Sequence, residues 1–141
     1  MQIKEIEFKK ESSVCLENKK IKLIVIPSLG GKIASIYNKE KSFELLFQNK
    51  DSKYKKPSYG DDFVDYDCSG FDDCFPNIES TDLVYKGRTI YYPDHGEIWS
   101  ANFDYHIVDD KLVLSYYSNY LDYNYQKEIR LKDNEIIINY R

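Results

Sequence analysis

Along residues 122–131 the side chains alternate without a break. Tyr123, Tyr125, Lys127, Ile129 and Leu131 fall on one side of an extended chain, and Asp122, Asn124, Gln126, Glu128 and Arg130 on the other. A period of two is what a β-strand with one face toward a core requires, and a helix cannot hold it. The pattern recurs at residues 101–107, where Ala101, Phe103, Tyr105 and Ile107 oppose Asn102, Asp104 and His106. Asp109-Asp110-Lys111 then turns the chain into residues 112–117, and Lys132-Asp133-Asn134 turns it into residues 135–140. Upstream, residues 20–26 form a β-rich run ended by Pro27. Gly30-Gly31 marks a bend or bulge before residues 32–37, and Asn38-Lys39-Glu40-Lys41 is a turn into the apolar residues 43–47. Helical periodicity is absent. Short strands separated by turns predict an all-β fold, an antiparallel β-sandwich in one domain over residues 1–141. Fourteen Tyr and seven Phe suit that reading, because flat rings pack well on a pleated surface.

A net charge of −4 argues against nucleic acid as a partner, since phosphate binding relies on clustered Lys and Arg. The nearest basic run, Lys50, Lys53, Lys55 and Lys56, reads as a solvated loop. The first residues carry no apolar core of signal-peptide length, and no stretch approaches the ~20 apolar residues that span a bilayer. Cys15, Cys68 and Cys74 are odd in number and lack metal-type spacing, so they read as reduced thiols of a cytoplasmic protein. The last apolar run, Ile136-Ile137-Ile138, lies just before Arg141, which suggests a domain cut short there.

Residues 48–100 break the rhythm, holding seven of the ten Gly and Pro residues. Long connections of this kind in β domains tend to carry function. Between Asp61 and Tyr85 stand eight acids and no Lys or Arg, so these carboxylates must be solvated, hydrogen-bonded or paired with a cation from elsewhere. Asp72 and Asp73 sit in Gly70-Phe71-Asp72-Asp73-Cys74-Phe75-Pro76-Asn77-Ile78, among aromatics. Carboxylates and amides beside rings are what a sugar needs: the polar groups take hydroxyls, and the rings cover the C–H face of a pyranose. A second cluster, Pro93-Asp94-His95-Gly96-Glu97-Ile98-Trp99, holds one of two histidines and the only Trp. An imidazole exchanges protons near neutral pH, and a neighbouring carboxylate fixes its tautomer. Gly96 would admit a ligand or another backbone closely. On an extended strand, Glu97 would share a face with His95. Metal binding by Asp94, His95 and Glu97 is set aside, because adjacent residues of an extended segment point apart. His106 lies on the polar face of its strand and reads as a surface residue.

Residues 24–36, Ile-Val-Ile-Pro-Ser-Leu-Gly-Gly-Lys-Ile-Ala-Ser-Ile, resemble the opening strands of the galactose mutarotase-like (aldose 1-epimerase-like) superfamily. The stretches 70–78 and 93–99 are similar to those of a less characterised branch of it. The resemblance implies a large antiparallel sandwich, here its N-terminal half, and a face that binds hexoses without a cofactor. It also implies general acid–base chemistry, in which a carboxylate takes the anomeric proton and a histidine protonates the ring oxygen. His95 matches a supporting histidine of that site, and Glu97 stands where the classical enzymes carry Gly. The acid histidine and base carboxylate belong to the family's second half and have no counterpart in this chain.

The expected site is therefore His95 and Glu97 for catalysis, with Asp72, Asp73, Phe75, Asn77, Asp94 and Trp99 around a small-molecule sugar. Three functions fit: an epimerase-like protein inactive on its own, a carbohydrate-binding module, or a half-sandwich that covers its open edges as a homodimer.

Overall fold

In the computed structural model, which describes residues 1–141, strands dominate and are joined by tight turns. The first sheet holds β1 (Gln2–Phe8), β2 (Glu11–Glu17), β3 (Ile21–Ile26), β4 (Lys32–Asn38) and the two-residue β5 (Phe43–Glu44), in that order and antiparallel throughout. A separate hairpin pairs β6 (Thr81–Tyr85) with β7 (Arg88–Tyr92). The second sheet runs β11 (Glu135–Tyr140), β10 (Tyr123–Lys132), β9 (Lys111–Ser118) and β8 (Asp104–Val108). Two short 3₁₀ turns, Phe63–Asp65 and Ile98–Ser100, lie in the long connection. No helix is long and apolar enough to cross a membrane.

Period-two patterning produces the core directly. Val14, Leu16, Leu23, Val25 and Ile33 of the first sheet face Leu112, Leu114, Ile129 and Leu131 of the second, with Ile98 and Phe103 filling the same cluster. Each such side chain contributes roughly 1.5–3 kcal/mol through burial. The two sheets thus form a sandwich. In β3 and β4 the pairing shifts from Ile24 opposite Ser35 to Val25 opposite Ile33, leaving Ala34 as an extra residue. That bulge lets Ile33 and Ile36, three apart, both pack on the inner core. The outer face of the first sheet is apolar too. Ile24, Ile26 and Ala34 are covered there by Leu29 and by Tyr54 of the long connection, with Ile6 and Phe8 alongside.

Two expectations needed revision. The strand read from residue 101 begins at Asp104, and all five residues of β8 are exposed, so its apolar row is not a core face; only Phe103, just before it, is buried. The long connection also contains a regular hairpin, turned at Lys86-Gly87 with both residues left-handed (φ 49° and 73°). That pair of positive φ angles matches the right-handed twist of hairpin strands.

The β1–β2 hairpin makes the same turn with Lys9 and Lys10, at φ 48° and 67°. Lys9 donates to Asn49 O at 2.7 Å, whereas Lys10 makes no side-chain hydrogen bond or ion pair. A side chain in the left-handed region costs about 1 kcal/mol. Lys10→Gly is expected to stabilise the fold by roughly 0.5–1 kcal/mol, read as a raised midpoint in urea with an unchanged slope.

Candidate functional site

The segment 70–78 is laced to both sheets. Phe71 exchanges backbone hydrogen bonds with Ile33 of β4, at 2.9 and 3.0 Å. Gly70 makes this approach possible, for a Cβ there would lie 2.7 Å from Ile33 O. Asp72 then accepts from Lys32 Nζ at 2.6 Å, and the same ammonium donates to Ser69 O at 2.5 Å. The next residue reaches the other sheet: Asp73 Oδ2 accepts from Lys127 Nζ of β10 at 2.7 Å, and its Oδ1 accepts from the Tyr140 hydroxyl of β11 at 2.8 Å. Lys127 is fully buried and also donates to Gly31 O at 3.2 Å. Burial pushes Asp72 above the usual carboxylate range, with Lys32 pulling the other way. Burial likewise draws Lys127 below the usual lysine range, opposed by Asp73.

Beside these pairs lies an open groove of about 730 Å³. Phe75, Tyr123, Tyr125 and Tyr140 supply its rings, and Asp72, Asp73, Asn124 and Arg141 its polar groups. Phe75 meets Tyr123 edge-on at 5.1 Å and Tyr125 at 5.7 Å, and Tyr125 meets Tyr140 at 6.0 Å. Another concavity, of about 660 Å³ near Glu17, Lys20, Lys39 and Asp133, holds neither an aromatic ring nor a histidine.

Glu97 lies behind the groove and is 1% exposed. Its Oε1 accepts from Tyr92 at 3.0 Å and from Tyr123 at 2.6 Å, and its Oε2 accepts from Tyr116 at 3.1 Å. Burial raises all three phenols, and the Glu97 carboxylate adds to the shift.

His95 lies elsewhere. Its ring stacks on Phe63 at 4.2 Å, and Phe63 meets Trp99 edge-on at 5.1 Å. Nδ1 is 2.9 Å from Asp94 Oδ2 but out of line for a hydrogen bond, while Asp94 Oδ2 accepts from Phe63 N at 3.2 Å. The expectation that Glu97 shares a strand face with His95 fails, because His95 (φ 60°) and Gly96 (φ 73°) are left-handed and the backbone turns. Gly96 does serve close approach: a Cβ would lie 2.2 Å from Phe75 O, which accepts from Glu97 N at 3.0 Å.

The eight residues chosen from sequence are thus divided. Asp72, Asp73 and Phe75 line the groove, and Glu97 backs it through Tyr123. Asp94, His95 and Trp99 form the Phe63 cluster, and Asn77 clips its own loop by donating to Glu79 O and Pro93 O, both at 2.8 Å. No three His, Cys, Asp or Glu side chains converge as a metal site would need. Sequence reasoning missed Tyr123, Tyr125, Tyr140 and the two lysines. One signal was available: Lys127 stands in an inward row of Tyr, Ile and Leu, and a lysine there needs a buried partner.

Two outcomes follow from this geometry. Lys127→Met leaves the Asp73 carboxylate buried with one phenol, and should cost about 3–5 kcal/mol in denaturant unfolding, with Asp73→Asn added to it recovering part of the loss. Alkaline pH should also unfold the protein. Tyr54 and Tyr59 are pushed up to about 12 by burial, and Tyr66 to about 12 by its hydrogen bond to Asp61. An unfolded phenol titrates near ~10. Above that pH the folded chain holds more protons than the unfolded one, so stability is complete below pH ~10 and is lost as pH rises toward ~12. Urea midpoints measured alongside tyrosinate absorbance would check this; midpoints unchanged through that window would contradict it.

The comparisons with known proteins agree with the architecture. The structure is similar to a galactose mutarotase related enzyme from Lactobacillus acidophilus, with a TM-score of 0.61 and 17% identity over 91% of this chain. It is also similar to a 4-alpha-glucanotransferase from Thermococcus litoralis, with a TM-score of 0.59 and 14% identity over 99% of this chain. The chain spans 42% of the first of those proteins and 24% of the second. No curated protein matches it. The likeness establishes a mutarotase-like β-sandwich fold. A family defined by sequence matches residues 4–82, more than half of the chain, and on that match the chain belongs to the family described as a domain of unknown function, DUF5107.

Proposed function

We propose that this chain handles carbohydrate, holding a hexose-type sugar in the groove between residues 72–78 and strands β10 and β11. The observation that carries the proposal is the groove's composition, four aromatic rings bordered by Asp73, Asn124 and Arg141, in a sandwich of mutarotase-like fold. Rings of this kind cover the apolar face of a pyranose, and the rim groups hydrogen-bond its hydroxyls. The neighbours' printed descriptions, a galactose mutarotase related enzyme and a glucanotransferase, lie in the same chemical territory. Within this reading the chain is aldose 1-epimerase-like in descent and acts by binding. Both oxygens of Glu97 are occupied by phenols, and His95 packs on Phe63 away from the groove lining, so these two residues do not form an acid–base pair at the sugar. The three free thiols fit a cytoplasmic setting.

A second reading, a working epimerase, is favoured by His95, a partly exposed imidazole with the Asp94 carboxylate 2.9 Å from its Nδ1. Calorimetric titration with a panel of hexoses separates the proposal from nothing at all. Binding should weaken at least tenfold in Phe75→Ala, with circular dichroism confirming the fold, and an absence of heat from every hexose would reject it. Polarimetric mutarotation of fresh α-D-glucose and α-D-galactose should match buffer in the wild type. Turnover that disappears in His95→Ala would instead establish the epimerase.

A further inference from the structure

Three tyrosines line the groove, and the hydroxyls of two are taken by the protein itself. Tyr123 donates to Glu97 Oε1 at 2.6 Å, and Tyr140 donates to Asp73 Oδ1 at 2.8 Å. The hydroxyl of the third, Tyr125, makes no hydrogen bond within the chain and is not enclosed by it. Its ring is nevertheless held by three others: Phe75 at 5.7 Å, Phe103 edge-on at 5.9 Å and Tyr140 at 6.0 Å. Phe103 is a core residue, 3% exposed, so one of these contacts is with the core itself.

The phenol lies within electrostatic reach of Asp73, Tyr140 and Cys74, which all line the groove. Burial first, and then these neighbours, push it above the ordinary phenol range, so it stays a neutral donor at physiological pH. A hydroxyl fixed by packing and without a partner in the protein is prepared for a ligand, because little side-chain freedom is left to lose on binding.

We propose that Tyr125 sets the specificity of the groove, its phenol donating to one ring hydroxyl of an uncharged sugar. This rests on the sugar reading above and adds to it the residue that selects the ligand and the class of sugar admitted. Asp72 and Asp73 both border the groove, whereas the lysines that balance them are buried, Lys32 at 5% exposure and Lys127 at 0%. Each ammonium is already bonded to its carboxylate and to backbone carbonyls, Asp67 O and Ser69 O for Lys32 and Gly31 O for Lys127. Neither is left for an anionic ligand, and the rim's Arg141 lies 3.8 Å from Glu128. A phosphate or a sugar carboxylate only accepts hydrogen bonds and meets the two aspartates as like charges. A sugar hydroxyl accepts from Tyr125 and keeps its own proton to donate onward.

Calorimetry with D-glucose, D-galactose and D-mannose, and with the deoxy analogues of whichever binds, tests this on the wild type and on Tyr125→Phe. The variant should bind about tenfold more weakly, with an unchanged urea midpoint because no hydrogen bond within the protein is lost. One deoxy analogue should lose about the same factor in the wild type and at most about twofold in Tyr125→Phe, since the missing hydroxyl and the missing phenol are partners. Tyr123→Phe and Tyr140→Phe take a donor from Glu97 and Asp73, so they should lower the midpoint and leave the loss for every deoxy analogue in place. The 6-phosphate and the uronic acid of the same sugar should bind about tenfold more weakly than the sugar. Hexose binding indifferent to Tyr125→Phe, a deoxy profile that the variant does not alter, or tighter binding of the charged forms overturns the inference and leaves the groove reading standing. An absence of heat from all three hexoses removes both.

Discussion

The structure depends on two adjacent aspartates that bind lysines from opposite sheets. Asp72 is paired with Lys32 at the start of β4, and Asp73 with Lys127 in the middle of β10. One peptide bond separates the two carboxylates, so the distance between the sheets and the position of the connection are set by the same pair of contacts. Buried ion pairs are poor sources of net stability, because each charge has lost its water. They are strong constraints on geometry for the same reason, since any arrangement that parts them strands a charge in a medium of low dielectric. Each ammonium is held by backbone carbonyls as well: Ser69 and Asp67 for Lys32, Gly31 for Lys127. The wall of the groove is therefore tied to both sheets, through Lys32 of β4 and Lys127 of β10.

Glu97 solves a different problem. A buried carboxylate without a cation must find donors, and it finds three phenols drawn from β7, β9 and β10. These tie the second sheet to the segment carrying the 3₁₀ turn at Ile98. The arrangement also fixes Tyr123, whose ring borders the groove while its hydroxyl is committed to Glu97. Such a carboxylate organises a surface and is poorly placed to take a proton from a ligand, because its lone pairs are already engaged. The imidazole has the opposite difficulty. His95 is partly exposed, but its ring lies flat on Phe63, and its left-handed backbone turns it from the strand direction on which alternation depends.

The limits of sequence reading follow from the range of the interactions involved. Strands β3, β4, β9, β10 and β11 were legible because their alternation is local and their turns carry Asp, Asn or Gly. The β1–β2 hairpin was not, since its turn is Lys9-Lys10, with no residue that favours positive φ. The acidic stretch shows the same boundary. Its lack of nearby cations was visible, but the lysines that answer Asp72 and Asp73 lie 40 and 54 residues away. Placing Asp73 and Phe75 at a common surface needed only their shared loop. Bringing Tyr123, Tyr125 and Tyr140 to that surface required knowing which strands are neighbours, and periodicity does not contain that. The separation of His95 from Glu97 was hidden by one assumption, that the segment is extended, and Gly96 was the residue that put the assumption at risk.

The placement of the groove at the end of a sheet has a physical consequence. Its floor belongs to β10, an interior strand, and its outer limit is Tyr140 on β11, the last strand in that sheet's order. Tyr140 is also the phenol that completes the coordination of Asp73. One side chain thus touches both the groove and the ion pair that ties the connection to the second sheet. A ligand that packs on the Tyr140 ring therefore meets a side chain whose hydroxyl is already held by Asp73. Packing on a ring already held by its hydrogen bond costs little further side-chain freedom, and it needs no rearrangement of the sandwich.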